Sequence, residues 1–575
     1  MVAVAGLAPF VSALSGSFFS GGVFAGLSNY RELAGDRGFP MAAGITVAWS
    51  LLSASTTLVL AYPVASLATG SRRAYGIIFT LLVAMWAVPV YIGAPLWRFV
   101  LHGAAGDSVF RTLTGVEVNL MESPVAAFIS SALVSAWFRL PQAVFIMLAA
   151  LGRSRKSIDE AARLDGAGPA ALAFTVRLPA MKGVLGAVAA LELVSAFKEF
   201  TVPFLMTSGG PPLRSGITNT TVVGATTTLE IYLYDLFSGY ADTGIVSAYA
   251  VVLSVAMALV VLGGFSLRTV MGTHGRVDAQ DRQAGSFHKK SGQGYVPGHC
   301  ADCALTVLTW LAVALLIAAA VILVYCIVWM AFSDLSIAFV DSFLPRFFTT
   351  GNFGRVFIED GFGGTILNTL YVSALTAAII GLIAFPAAAW LADRPRQGAA
   401  IFFVALQALS STGGVHSLIP LYDLWRRMGI LGGYAPVVLV YLYHSLPVAL
   451  FALTEFLRDQ PRSFKDTARL EGLGKLGFLI RIQVPLALPA IGAAAMVAFL
   501  SAWNGFMAPL VFLDDDARYT VAIRLHAYVG SMASGTPQWN RFAAASIINI
   551  ILIGLLFRWL RKPLSSTSLS AHDED

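Results

Sequence analysis

Apolar residues in this chain come in long blocks separated by short polar breaks, and many blocks approach or exceed the roughly 20 residues needed to cross a bilayer. None alternates with period two, so the pattern predicts transmembrane helices rather than a barrel. Six spans are predicted in the first half: Ala3 to Phe24, Ala43 to Ala68, Ile77 to Leu101, Pro124 to Leu151, Val184 to Thr207 and Gly244 to Leu267. Six more are predicted in the second: Ala304 to Phe332, Thr365 to Leu391, Ala399 to Leu424, Ala435 to Phe456, Leu488 to Phe512 and Ala543 to Leu560. From Arg268 to Ala301 the chain turns polar and rich in Gly, Gln and His, with no apolar periodicity, which reads as a flexible linker. The expected division is a transmembrane half at 1–267, a linker at 268–302, a second transmembrane half at 303–562 and a polar tail at 563–575. The first span is weak, and the absence of a positive stretch before it argues against a cleaved signal peptide.

Composition strengthens this reading. The 575 residues are 57% hydrophobic and only 12% charged, with a mean hydropathy of +0.74, whereas soluble domains carry about a quarter charged residues. The fold class is therefore an all-α polytopic membrane protein. The formal net charge of +6 comes from cations clustered at particular loops, not from a nucleic-acid stripe. Arg72, Arg73, Arg153, Arg155, Lys156, Lys182, Arg276, Lys289 and Lys290 mark one side of the membrane. Arg394, Arg396, Lys465, Arg469, Lys475, Arg558, Arg561 and Lys562 mark the same side in the second half. The positive-inside rule makes that side cytoplasmic, together with the linker and C-terminus. Three cysteines are too few for a disulfide framework. Cys326 reads as a small apolar span residue, and Cys300 with Cys303 lacks the second ligand pair that a metal site needs.

One segment occurs twice. Ser157-Ile-Asp-Glu160-Ala161-Ala162-Arg-Leu164-Asp165-Gly166 leads to Leu178-Pro179, and Ser463-Phe-Lys-Asp466-Thr-Ala468-Arg-Leu470-Glu471-Gly472 leads to Val484-Pro485, 306 residues later. In each copy the acid precedes the glycine by six residues, and the glycine precedes the proline by thirteen. Such a repeat predicts two copies of one module. Ser157 with Glu160 fits a capping box, Ser463 with Asp466 a weaker one, and the glycines suit the left-handed position that closes a helix. Each loop should be a helix of roughly nine residues, about 13 Å long. Capping accounts for the acids locally. It leaves unexplained the Ala161, Ala162, Leu164 and Leu470 displayed among charges, a surface suited to insertion into a partner's groove. No nucleophile with a base, paired acids, metal cluster or phosphate-cradling loop occurs, so no catalytic or metal residue and no cofactor is expected in this chain.

Glu160-Ala-Ala with Gly166 and Leu178-Pro179 resembles the coupling loop of permease subunits of ATP-binding-cassette (ABC) importers. The second copy keeps the acid but has Asp466-Thr-Ala. The resemblance implies a fused type I importer permease fold of two homologous six-helix bundles. It assigns ATPase coupling to Glu160, Ala161, Ala162, Asp165, Gly166, Pro179, Asp466, Ala468, Glu471, Gly472 and Pro485. It also implies a partner ATPase dimer that binds ATP and Mg, an extracytoplasmic solute-binding protein, and residence in the bacterial inner membrane.

Further segments, among them Thr207-Ser-Gly-Gly-Pro211, Tyr441-Leu-Tyr443 and Ser501-Ala-Trp-Asn504, are similar to the permease pair of maltose-type sugar importers. That family usually has an acid after the Trp-Asn pair, where this chain has Gly505. A sugar or oligosaccharide is thus the implied substrate. Iron, thiamine, a polyamine or a phosphonate is the alternative within the class, and an ion-coupled secondary transporter the alternative outside it. Trp86, Tyr91, Glu192, Tyr443, Trp503 and Asn504 are candidates for the substrate pathway, since aromatic faces stack on sugar rings and amides bond hydroxyls; interfacial belts also account for such aromatics. Glu192 can equally serve a helix–helix pair, while His416 and His444 read as packing residues. Thr207, Gly209, Gly210 and Pro211 are candidates for contact with the binding protein.

Overall fold

The computed structural model describes residues 2–103, 108–152, 156–164, 166–168, 171–217, 222–239, 242–260, 263, 299–333, 348–396, 398, 402–403, 406, 413–461, 463–530 and 537–565. Among these, eight helices are long and apolar enough to cross a membrane: Gly38–Ala68, Pro124–Gly152, Thr243–Val260, Thr306–Phe332, Phe362–Ala392, Ala435–Asp459, Lys475–Trp503 and Trp539–Leu556. Two further helix pairs are apolar enough to cross only when taken together, and each is sharply bent. Arg72–Ala87 and Val90–His102 meet at 98°, and Leu172–Ala180 and Lys182–Phe197 meet at 78°. Pro89, which lacks an N–H and follows the extended Val88, explains the first bend.

Several predicted spans differ in form. Ala3 to Phe24 is a helix only over Val2–Gly16, after which Phe19–Ser20 and Val23–Phe24 form a hairpin. Fifteen residues reach only about 22 Å, short of a crossing. The hairpin is pinned by Ser20, which donates to Asp242, and by close approach at Gly244, where a Cβ would overlap the Phe19 carbonyl. Burial pushes the Asp242 carboxyl up, but the Ser20 hydroxyl and the Gly244 and Gly21 amides hold it below its usual range. The near part of the predicted span Ala399 to Leu424 falls largely outside the described residues; its far part is the short helix Val415–Arg427.

The two halves repeat one plan. Gly38–Ala68 and Phe362–Ala392 are both 31-residue helices, each burying small residues: Ala42, Ala54, Ala61 and Ala65 in one, Ala384 and Ala388 in the other. Small residues let backbones approach closely where no hydrophobic force separates protein from lipid. Several hydroxyls inside these spans bond back to the carbonyl four residues earlier, as Thr46 does to Ala42 at 2.8 Å and Thr376 to Val372 at 2.8 Å, which satisfies those polar atoms without water.

The halves also interlock. The first helix of each reaches across to the other: Val2–Gly16 packs on Val415–Arg427, with Ser12 Oγ 3.1 Å from the Pro420 carbonyl, and His299–Phe332 packs on Val90–His102. Cys326 is buried in that second helix.

Candidate functional site

Both repeated segments fold alike. The helices are Lys156–Leu164 and Ser463–Leu470. Ser157 and Ser463 fall within these helices as described, and Asp165 lies outside the described residues. Each helix closes on a glycine of positive φ, +84° at Gly166 and +76° at Gly472. The next amide reaches back five residues, Ala167 to Ala162 and Leu473 to Ala468, both at 2.9 Å. This is the glycine C-cap that the spacing predicts. Glu160, Ala161 and Asp466 are exposed and Ala468 is buried. Leu164 and Leu470, at equivalent positions, are 88% and 89% exposed. An apolar side chain so fully presented on a polar loop marks a contact surface.

Beyond each glycine the helix is wider than the sequence predicts. Leu172–Arg177 and Leu479–Gln483 are π-turns that run into Leu178-Pro179 and Val484-Pro485. Proline donates no amide to the turn before it, and a widened turn accommodates the lost bond. The sequence signal was the proline itself. The loop thereby connects to one long helix, Val484–Trp503, in the second half and to Lys182–Phe197 in the first.

The attachments differ between copies. In the first, Arg177 holds Asp159 (Nη2–Oδ2 2.6 Å) and Thr69 (Nη1–Oγ1 2.8 Å), tying the loop helix to the end of Gly38–Ala68. Tyr62 also donates to the Ala173 carbonyl. In the second copy Lys465 stands where Asp159 does and bonds Asp393 at 2.6 Å, while Gln483 replaces Arg177. In both copies the loop helix is tied to the end of the corresponding 31-residue helix of its half, Gly38–Ala68 through Thr69 and Phe362–Ala392 through Asp393.

Deep between the halves lies a cavity of about 300 Å3. Tyr91 and Thr201 from the first half line it, with Tyr441, His444, Ser501 and Asn504 from the second. Its polar groups are hydroxyls, an amide and an imidazole. The Tyr441 hydroxyl is buried without a hydrogen-bond partner. Gly505 explains why: a Cβ there would sit 1.9 Å from the Tyr441 oxygen, so the glycine makes room for this tyrosine. Asn549 braces the wall, accepting from Trp503 Nε1 at 3.1 Å and donating to the Tyr91 hydroxyl at 3.1 Å.

Of the six pathway candidates, Tyr91 and Asn504 line the cavity and Trp503 stands behind it. Trp86 is 70% exposed on the outer surface of its helix, against Phe145. Glu192 is buried 4.0 Å from Arg139, which also bonds its backbone carbonyl and holds Glu199 at 2.6 Å. Tyr443 packs on the His444 ring and does not line the cavity. Tyr441, Ser501, Thr201 and His444 were missed as lining because facing across an interface leaves no trace in local sequence. We expect Tyr441→Phe to raise the half-saturating solute concentration several-fold, as loss of one hydrogen bond does, and Trp86→Ala to leave it unchanged, both read in transport assays.

Thr207, Gly209, Gly210 and Pro211 form a packed corner. Thr207, Gly209 and Pro211 are buried, Thr207 bonds Thr226, and a Cβ on Gly209 would lie 2.9 Å from Thr227 Oγ1. The corner adjoins the hairpin Pro212–Ile217 with Val222–Gly224, of which Pro212 and Val222 are exposed.

The family model for the binding-protein-dependent transport system inner membrane component matches residues 58–271 and again 319–566. The chain is 33% identical over 210 residues to a putative ABC transporter permease protein of Streptomyces antibioticus, covering 36% of this chain and 90% of that one. It is 27% identical over 215 residues to the sulfoquinovosyl glycerol transport system permease protein of Agrobacterium fabrum, covering 37% of this chain and 74% of that one. It is 29% identical over 232 residues to the alpha-glucoside transport system permease protein of Rhizobium meliloti, covering 39% and 60%.

Proposed function

The chain belongs to the binding-protein-dependent transport system inner membrane component family, and on that premise we propose that it supplies both permease halves of an ABC importer for a carbohydrate. The observation that carries this reading is the pair of equivalent loops, each presenting an exposed leucine beside a glycine-closed helix. Each loop seats in one subunit of a separate ATPase dimer at the cytoplasmic face of the bacterial inner membrane, and the linker and C-terminus lie on that same side.

The loops connect mechanically to the cavity. From Pro485 the helix Val484–Trp503 runs without interruption to Ser501 and Asn504 in the cavity wall, about 27 Å at 1.5 Å per residue. Lys182–Phe197 leads likewise toward Thr201. ATP binding draws the ATPase subunits together, the loops move with them, and these helices carry the motion to the cavity, opening it outward. A binding protein docked on the outer hairpin region delivers the solute, and hydrolysis returns the cavity inward. ATP and Mg belong to the partner; this chain binds, shields and passes the solute.

The cavity chemistry favours a sugar within this class. Tyrosine faces, hydroxyls and an amide suit stacking and bonding to a polyol. Among the described residues no carboxylate or ammonium lines it, as a polyamine, iron or phosphonate would call for. The relatives that transport sulfoquinovosyl glycerol and alpha-glucosides agree with this choice.

With the cognate ATPase and binding protein in liposomes, sugar uptake should cease on ATP depletion and persist with an uncoupler. Uptake that tracks the ion gradient instead would refute the reading.

A further inference from the structure

We propose that Glu230 sets the charge of the solute this cavity accepts: its carboxylate fills, from within the chain, the anion position at the cavity-side end of helix Val415–Arg427, so that uncharged sugars enter and acidic ones are turned away. The inference rests on the carbohydrate-permease reading above.

Val415–Arg427 is a half-helix whose N-terminal end reaches the cavity, with Gly413, Gly414 and Leu418 in the wall. Free amides and the helix dipole make such an end attractive to an anionic solute group. Here the place is taken. Glu230 Oε2 accepts from the His416 amide at 3.2 Å, and Glu230 Oε1 lies 2.6 Å from His416 Nδ1. The two side chains are 1% and 0% exposed. They come from different halves, Glu230 from the first turn of Leu229–Gly239.

Only a glycine separates this carboxylate from the cavity. A Cβ on Gly414 would stand 2.4 Å from Glu230 Oε1 and 2.8 Å from His416 Nδ1, and one on Gly413 would stand 2.1 Å from the ring of the lining residue His444. Lys198, next after helix Lys182–Phe197, acts electrostatically on both Glu230 and His444. Farther back, Arg139 stands between Glu199 at 2.6 Å and Glu192 at 4.0 Å. The Glu230 carboxylate therefore sets negative charge against the N-terminal dipole of this half-helix, directly behind the cavity wall. Without it, the His416 amide at the helix end would lose its anionic partner behind Gly414.

Packing alone does not require the pair. At the corresponding place in the other half, Val521 N bonds Thr369 at 2.9 Å as Leu229 N bonds Thr46 at 2.8 Å. There Ala522 stands where Glu230 does, and Tyr91, second in its half-helix as His416 is in its own, lines the cavity unopposed by an acid. The fold forms this junction with or without a buried charge, and the chain carries the charge at one of the two.

The test is equilibrium binding to the full chain with its ATPase in nanodiscs, using maltose, trehalose and cellobiose as neutral probes and digalacturonate and inorganic phosphate as anionic ones. Wild type is expected to reject both anions. Glu230→Gln, which keeps the shape and a hydrogen-bonding group, should tighten binding of at least one anion by about tenfold or more, the scale of an unmasked charge. His416→Gln retains the carboxylate and should still reject anions, and it serves as the comparison for folding. If Glu230→Gln folds and rejects anions as wild type does, or if wild type itself binds them, the inference is overturned. A purely structural pair would lower thermal stability without moving the anion-to-neutral ratio. Failure of wild type to bind any neutral sugar counts against the carbohydrate reading alone, because the gain in anion binding is read independently of it.

Discussion

Gly472→Val is expected to reduce solute uptake by at least about tenfold while the chain still reaches the membrane in normal amount, and Gly166→Val should do the same. Both glycines sit at positive φ, +76° and +84°, where a β-branched residue is strongly disfavoured. Nothing lies within 4 Å of the Cβ at either position, so the effect comes from the backbone and not from a clash. Holding valine there costs about 1–3 kcal/mol, which the loop relieves by unwinding its last turn. The bonds from Leu473 to Ala468 and from Ala167 to Ala162 are then lost, and Leu470 or Leu164 leaves its docking position. A shift of 1.4 kcal/mol is already tenfold. The bundle itself is untouched, so thermal stability in detergent should change little. Normal uptake by both variants would remove the coupling role from these loops.

The second large effect separates the two loops. Arg177→Met strips Asp159 of its partner in a mostly buried setting, where the side chains are 9% and 18% exposed, and frees Thr69 as well. Removing one member of a sealed pair costs about 3–5 kcal/mol; with Asp159 partly open to solvent, about 2 kcal/mol is the expectation here. The first loop helix should detach from the end of Gly38–Ala68, lowering uptake severely and the unfolding temperature measurably. Lys465→Met breaks a pair whose members are 39% and 66% exposed, and exposed pairs contribute about 0–1 kcal/mol. Its uptake should stay near wild type. The measurement is uptake beside thermal unfolding for each variant. Equal loss in both would mean that the buried tether has no special part in transmission.

Much of this arrangement was legible in the chain. Long apolar blocks gave most of the spans, because in a bilayer the backbone must satisfy itself and length alone decides a crossing. The loop geometry was legible too, since a glycine thirteen residues before a proline constrains the backbone locally whatever surrounds it. The first helix misled because its apolar run continues through Phe19, Val23 and Phe24, and hydropathy does not reveal a hairpin. The bent helices Arg72–Ala87 and Val90–His102 read as one span for the same reason, with Pro89 as the overlooked signal.

The cavity was only half visible. Asn504 and Tyr91 stood out by residue type, but Tyr441 lines the wall because Gly505, just past helix Val484–Trp503, leaves it space. Glu230 and His416 are 186 residues apart, and nothing near either one announces the other. Relations of that kind arise from the packing of the two halves, which no local pattern encodes.

The central claim is that both repeated loops engage one ATPase dimer from the cytoplasm. Leu164→Cys and Leu470→Cys, introduced singly into a chain with Cys300, Cys303 and Cys326 replaced, should each cross-link to an ATPase subunit in the assembled transporter, and should react with an impermeant thiol reagent only after the membrane is opened. Labelling of either cysteine from the outside of intact cells, or absence of cross-links from both in an active complex, would contradict it.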